Sequence, residues 1–89
     1  MAGFPGGSAW AMARDIAEAH VLVTERTFVR LKNHEMNQLQ FELDRRLRSI
    51  RGNQPALDAT SELQLRHRRM QRLNGALMMM RAYLQRRRR

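Results

Sequence analysis

The sequence predicts an all-α protein, an antiparallel two-helix hairpin with a coiled-coil-like seam. Three observations lead there. Leu22, Val29, Met36, Leu43 and Ile50 recur every seven residues, and Ala56, Leu63, Met70, Leu77 and Leu84 repeat that spacing. Between the two ladders lies Arg51-Gly52-Asn53-Gln54-Pro55, where Gly52 can take the left-handed conformation that ends a helix and Pro55 can begin one. The ladders mirror each other about Asn53. Leu22 is placed opposite Leu84, Val29 opposite Leu77, Met36 opposite Met70, Leu43 opposite Leu63 and Ile50 opposite Ala56.

Residues 1–7 hold three glycines and a proline and are expected to form a flexible lead. Residues 8–89 form one helical-hairpin domain in this reading. Its parts are a helix over 8–51, a turn over 52–55, a helix over 56–85 and a basic tail over 86–89. Ser8 is the expected N-cap of the first helix. No Pro or Gly interrupts Ala9 to Arg51, a length of about 65 Å as one helix. Thr24 and Thr27, with Val21 and Val23, are its weakest helix formers and mark where a kink or break would fall. Leu39 and Leu47 widen the first stripe, and Leu73 and Met80 fill the d positions of the second. The second helix starts at Pro55, at Asp58 or at Ser61, the last with Gln64 as a capping box.

The mirror register leaves residues 8–21 without a partner inside the hairpin. Trp10, Met12, Ala13, Ile16 and Ala17 nevertheless give that segment an apolar side. It is expected to fold back as a short extra helix, to pack on another chain, or to fray in solvent.

Composition narrows the function. The chain has 89 residues and no cysteine, so neither a disulfide framework nor thiolate chemistry is at hand. No apolar run approaches the ~18 residues of a membrane span, and no basic-then-apolar leader opens the chain. A cytoplasmic location is the expectation. His20, His34 and His67 lack the i, i+4 spacing of a helical zinc site. No phosphate loop and no nucleophile–base pair is suggested, and a two-helix chain offers no deep pocket. The reading is a protein that is not an enzyme, with no cofactor, no metal and no small-molecule substrate.

Two features point to partners. Phe28, Leu31 and Phe41 lie off the ladder of the first helix. Ala76, Met79 and Tyr83 lie on a side of the second turned away from Leu77. Helices apolar on two sides are usually buried on two sides. Phe28, Leu31, Phe41, Met79 and Tyr83, with Trp10 on the overhang, are therefore the expected contacts to another protein or to a second copy. The second feature is charge. Seventeen basic residues face eight acidic ones, for a net charge of +9, and Lys32 is the lone lysine. A GC-rich genome would account for arginine over lysine but not for the excess of positive charge. Arg66, Arg68, Arg69 and Arg72, then Arg86, Arg87, Arg88 and Arg89, form an alternative surface for phosphate or nucleic acid. The chain lacks the interleaved aromatics of single-strand binders and the third helix of a helix-turn-helix reader.

The stretch from Met36 to Leu84 resembles the small helical-hairpin co-chaperones of type III secretion needle subunits. The likeness rests on Leu39, Leu43 and Leu47 before Gly52, and on Gly75-Ala76-Leu77-Met78-Met79-Met80 with Tyr83 late in the second helix. It covers about half the chain. The extension around Trp10 and the strong positive charge depart from that pattern. The resemblance implies a subunit that joins a larger helical-repeat chaperone to keep the needle subunit monomeric before export. The functional expectation is a non-enzymatic adaptor or co-chaperone-like protein. The alternative is a small basic protein that binds nucleic acid or the ribosome.

Overall fold

The computed structural model describes residue 4 and residues 7–87. Among these residues the regular structure is entirely helical. Four helices follow in order: α1 (Ala9–Ala17), α2 (Glu25–Val29), α3 (Asn33–Gly52) and α4 (Thr60–Arg87). The fold class is therefore all-α, but the architecture exceeds a two-helix hairpin. α3 and α4 pack as a hairpin, α1 lies against both of them, and α2 packs on α4. The 28 residues of α4 give about 42 Å of helix at 1.5 Å each, which sets the long axis of a 47 × 26 × 20 Å molecule.

Local chemistry explains why the expected first helix is three. Ser8 caps α1, its Oγ accepting from the Ala11 N–H at 3.1 Å. α1 ends in a Schellman arrangement: Ala19 N–H donates to Ile16 O at 3.2 Å and His20 N–H to Asp15 O at 2.8 Å. Ala19 holds the left-handed conformation there, at φ 63°. The chain then runs without helix to Thr24, through the weak helix formers Val21 and Val23. Thr24 opens α2 by donating its N–H to Thr27 Oγ1 at 3.0 Å. Glu35 opens α3 by accepting from the Lys32 N–H at 2.9 Å, half of a capping box.

The turn between α3 and α4 differs from the expected one. Gly52 remains helical, and Asn53 caps α3 at φ −113°. Asn53 Nδ2 donates to Ser49 O at 2.9 Å, so a side chain rather than a left-handed glycine closes the helix. The second helix begins at Thr60, one residue from the Ser61 alternative and four residues after Ala56. The longer turn slides the register. Ile50 now meets Arg66, and Met36 meets Arg87, in place of Ala56 and Met70.

The core joins all four helices. Met12, Ala13, Ile16 and Ala17 come from α1, Phe28 from α2, Met36, Leu39, Leu43 and Leu47 from α3, and Leu73, Ala76, Leu77 and Met80 from α4. Phe4 joins them; of the expected lead only residues 4 and 7 are among the described residues. The overhang thus folds back onto its own hairpin. Leu22 and Val29, counted in the first ladder, are exposed instead. The break after Ala17 resets the helical phase, so a seven-residue count carried across it has no physical meaning.

Candidate functional site

The second apolar side of the hairpin is largely covered from within the chain. Phe28 and Leu31, expected at a partner, are fully buried. Phe28 meets the half-buried Tyr83 with ring centroids 6.0 Å apart, and Ala76 is buried as well. These residues are core because α1 and α2 supply the cover that was sought in another molecule.

Three of the expected contacts stay on the surface. Trp10 is half exposed on α1, and its ring lies beneath two guanidinium groups, Arg14 at 5.2 Å and Arg46 at 5.1 Å. Burial first, and the Arg14 charge second, pull the Arg46 guanidinium below its ordinary pKa. Phe41 is exposed on α3 and borders a shallow hollow with Ala9 and Glu42. Met79 is 46% exposed.

Met79 lines a groove of about 240 Å³ between α4 and the connector from α1 to α2. The connector contributes Ala19, Val21, Leu22 and Val23. α4 contributes Gln71, Arg72, Gly75 and Ala76, and α1 contributes Ile16. Leu22 is 86% exposed on its edge, and the adjoining Met78 is 70% exposed. Neither was singled out as surface in the sequence. Leu22 was hidden by its place in the ladder. Met78 could have been found, because it lies one turn from Gly75 on the face away from Leu73.

Five of the eight arginines expected to meet an anion are engaged by groups of the chain itself. Each of the three earlier helices has a carbonyl at or just past its C-terminal end that accepts from an arginine of α4. Arg72 Nη1 donates to Ala17 O of α1 at 2.9 Å, Arg87 Nη1 to Leu31 O just past α2 at 2.9 Å, and Arg66 Nε to Ile50 O of α3 at 3.2 Å. A cation is favoured there because the helix C-terminus carries partial negative charge and unsatisfied carbonyls. Arg69 pairs with the Glu18 carboxylate, its Nη2 donating to Oε2 at 3.2 Å and its Nε lying 2.7 Å from Oε1 as an ion pair without hydrogen-bond alignment. Arg86 pairs with Glu25 at 2.6 Å. Arg87 also lies 5.6 Å from the Tyr83 ring. Arg68 is exposed, with neither an acid nor a carbonyl of the described residues on it. Arg88 and Arg89 fall outside the described residues.

No three His, Cys, Asp or Glu side chains among the described residues could hold a metal ion. No helix among them is long and apolar enough to cross a membrane. No family model, no curated protein and no solved structure matches the chain.

Proposed function

We propose that the protein is a non-enzymatic helical adaptor, co-chaperone-like, that works by binding another protein. The observation that carries this reading is the groove beside α4. After the chain has covered its own hairpin, Leu22, Met78 and Met79 remain exposed around an open apolar groove. Clustered methionine and aliphatic surface suits partners of adaptable shape. A needle-subunit co-chaperone is the specific form of that role implied by the likeness of Met36 to Leu84.

The nucleic-acid alternative draws on the net charge of +9. It is weakened by the internal acceptors of Arg66, Arg69, Arg72, Arg86 and Arg87. Those side chains would have to leave helix ends or carboxylates to reach phosphate.

Purification from the native cell separates the two. A protein partner that re-forms a complex of fixed stoichiometry from purified components is the expected result. Copurifying nucleic acid that leaves only at high salt, with no protein partner, would sink the adaptor reading, since phosphate binding weakens steeply with salt.

A further inference from the structure

Gly75 has no internal reason to be glycine. It sits in the middle of a 28-residue helix, where glycine is worse than alanine because it has more backbone freedom to lose. A close neighbour inside the protein would account for it, but a Cβ built at Gly75 meets nothing within 4 Å. Gly75 does line the groove. A missing side chain at such a place lets a second backbone come close.

The surroundings define what would approach. Gly75, Met78, Met79 and Ala82 follow i, i+3, i+4, i+7 spacing, so they form one stripe along α4. Leu22 stands beside that stripe. One turn or two before Gly75, Arg72 borders the groove and Arg68 is exposed on the same face. Arg72 is held by the Ala17 carbonyl, while Arg68 has no acceptor among the described residues and is the cation left open to a partner. A second copy of the chain in a two-fold contact would bring another molecule of net charge +9 onto those cations. A nucleic acid would use the cations but leave Leu22, Met78 and Met79 in water.

We infer that this groove takes an acidic amphipathic helix of another protein, its apolar stripe over Gly75 and its carboxylates at Arg68. The inference rests on the adaptor reading and gives it a site and a partner chemistry. The helix axes can approach to about 8 Å where glycine forms the contact, the short end of helix–helix packing.

The test uses the purified full chain and a fluorescent designed helix with leucines on one face and glutamates on the others. Fluorescence anisotropy should show binding, at least about tenfold weaker when every glutamate is replaced by lysine. Gly75→Leu fills the groove from a position whose Cβ meets nothing within 4 Å. It should weaken binding by at least about tenfold while helicity and melting temperature are kept or raised. Arg68→Gln should weaken binding and flatten its salt dependence. Failure of the acidic helix to bind, equal binding of the lysine version, or unchanged binding by Gly75→Leu would each overturn the inference. A wild-type dimer that Gly75→Leu converts to a monomer would overturn it in favour of a second copy. A native protein complex that Gly75→Leu leaves intact would remove the groove while sparing the adaptor reading.

Discussion

Between Met36 and Leu47 the chain buries a side chain every three or four residues, whereas between Glu18 and Thr27 it buries none. The α3 segment is held by repetition, with Met36, Leu39, Leu43 and Leu47 all facing the core. The connector and α2 are held by a few single attachments. Phe28 and Leu31, with the partly buried Val21 and Val23, provide the apolar ones, while Arg69 on Glu18, Arg86 on Glu25 and Arg87 on Leu31 O provide the polar ones. A periodic face spreads its stabilisation over many contacts. The connector and α2 concentrate it at fewer points, and each point should be separately measurable.

The largest effect should come from breaking the periodic side. Leu43→Asp puts an unpaired charge at a fully buried position, a cost of about 4 kcal/mol or more. Loss of the helical circular dichroism signal or of cooperative melting is expected, and retention of both would show that α3 does not carry the fold. Phe28→Ala attacks the other side and should cost about 3–5 kcal/mol. Hydrogen exchange should speed up first in residues 21–32, and uniform loss across α3 would mean that the two regions are not distinct. Arg72→Met keeps the side-chain stem but removes the bond to Ala17 O. A loss of about 1.5–3 kcal/mol is expected from a charged donor, read by denaturant melting, with exchange faster at the end of α1. Ala19→Gly should act in the opposite direction. It relieves a left-handed alanine and should raise stability by about 1 kcal/mol. A fall in melting temperature would show that the Ala19 methyl group matters more in the groove wall than its backbone strain.

The same contrast explains what could be read in advance. The seam residues Met36, Leu39, Leu43, Leu47, Leu73, Leu77 and Met80 were legible because burial on one helical face leaves a period of 3.6 in the sequence. Their register was not. It depended on Gly52 staying helical and on α4 waiting until Thr60, a choice made by the Asn53 side chain and by Arg66. Phe28 and Leu31 were recognised as off the ladder, but their cover came from a fold-back whose contacts are distant in sequence. The arginines were read as free charge because a carbonyl acceptor 55 or 56 residues away leaves no pattern to detect. Trp10, Phe41 and Met79 remained on the surface. Leu22 and Met78 entered the candidate site only when the break after Ala17 placed the connector beside α4.

The arginine bonds to the three helix ends also set an order of events. α4 follows every helix whose end it holds, so Ala17, Leu31 and Ile50 offer their carbonyls to water until its arginines have been synthesised. Its apolar residues Leu73 to Met80 arrive equally late, and the closing contacts have high sequence separation, which slows folding relative to a local hairpin. On the ribosome, α1 can pair with α3 once both have emerged, but the faces that they and α2 turn to α4 stay open until α4 follows. Apolar surface left open in this way is what holding chaperones and proteases recognise, and the docking of α4 covers it.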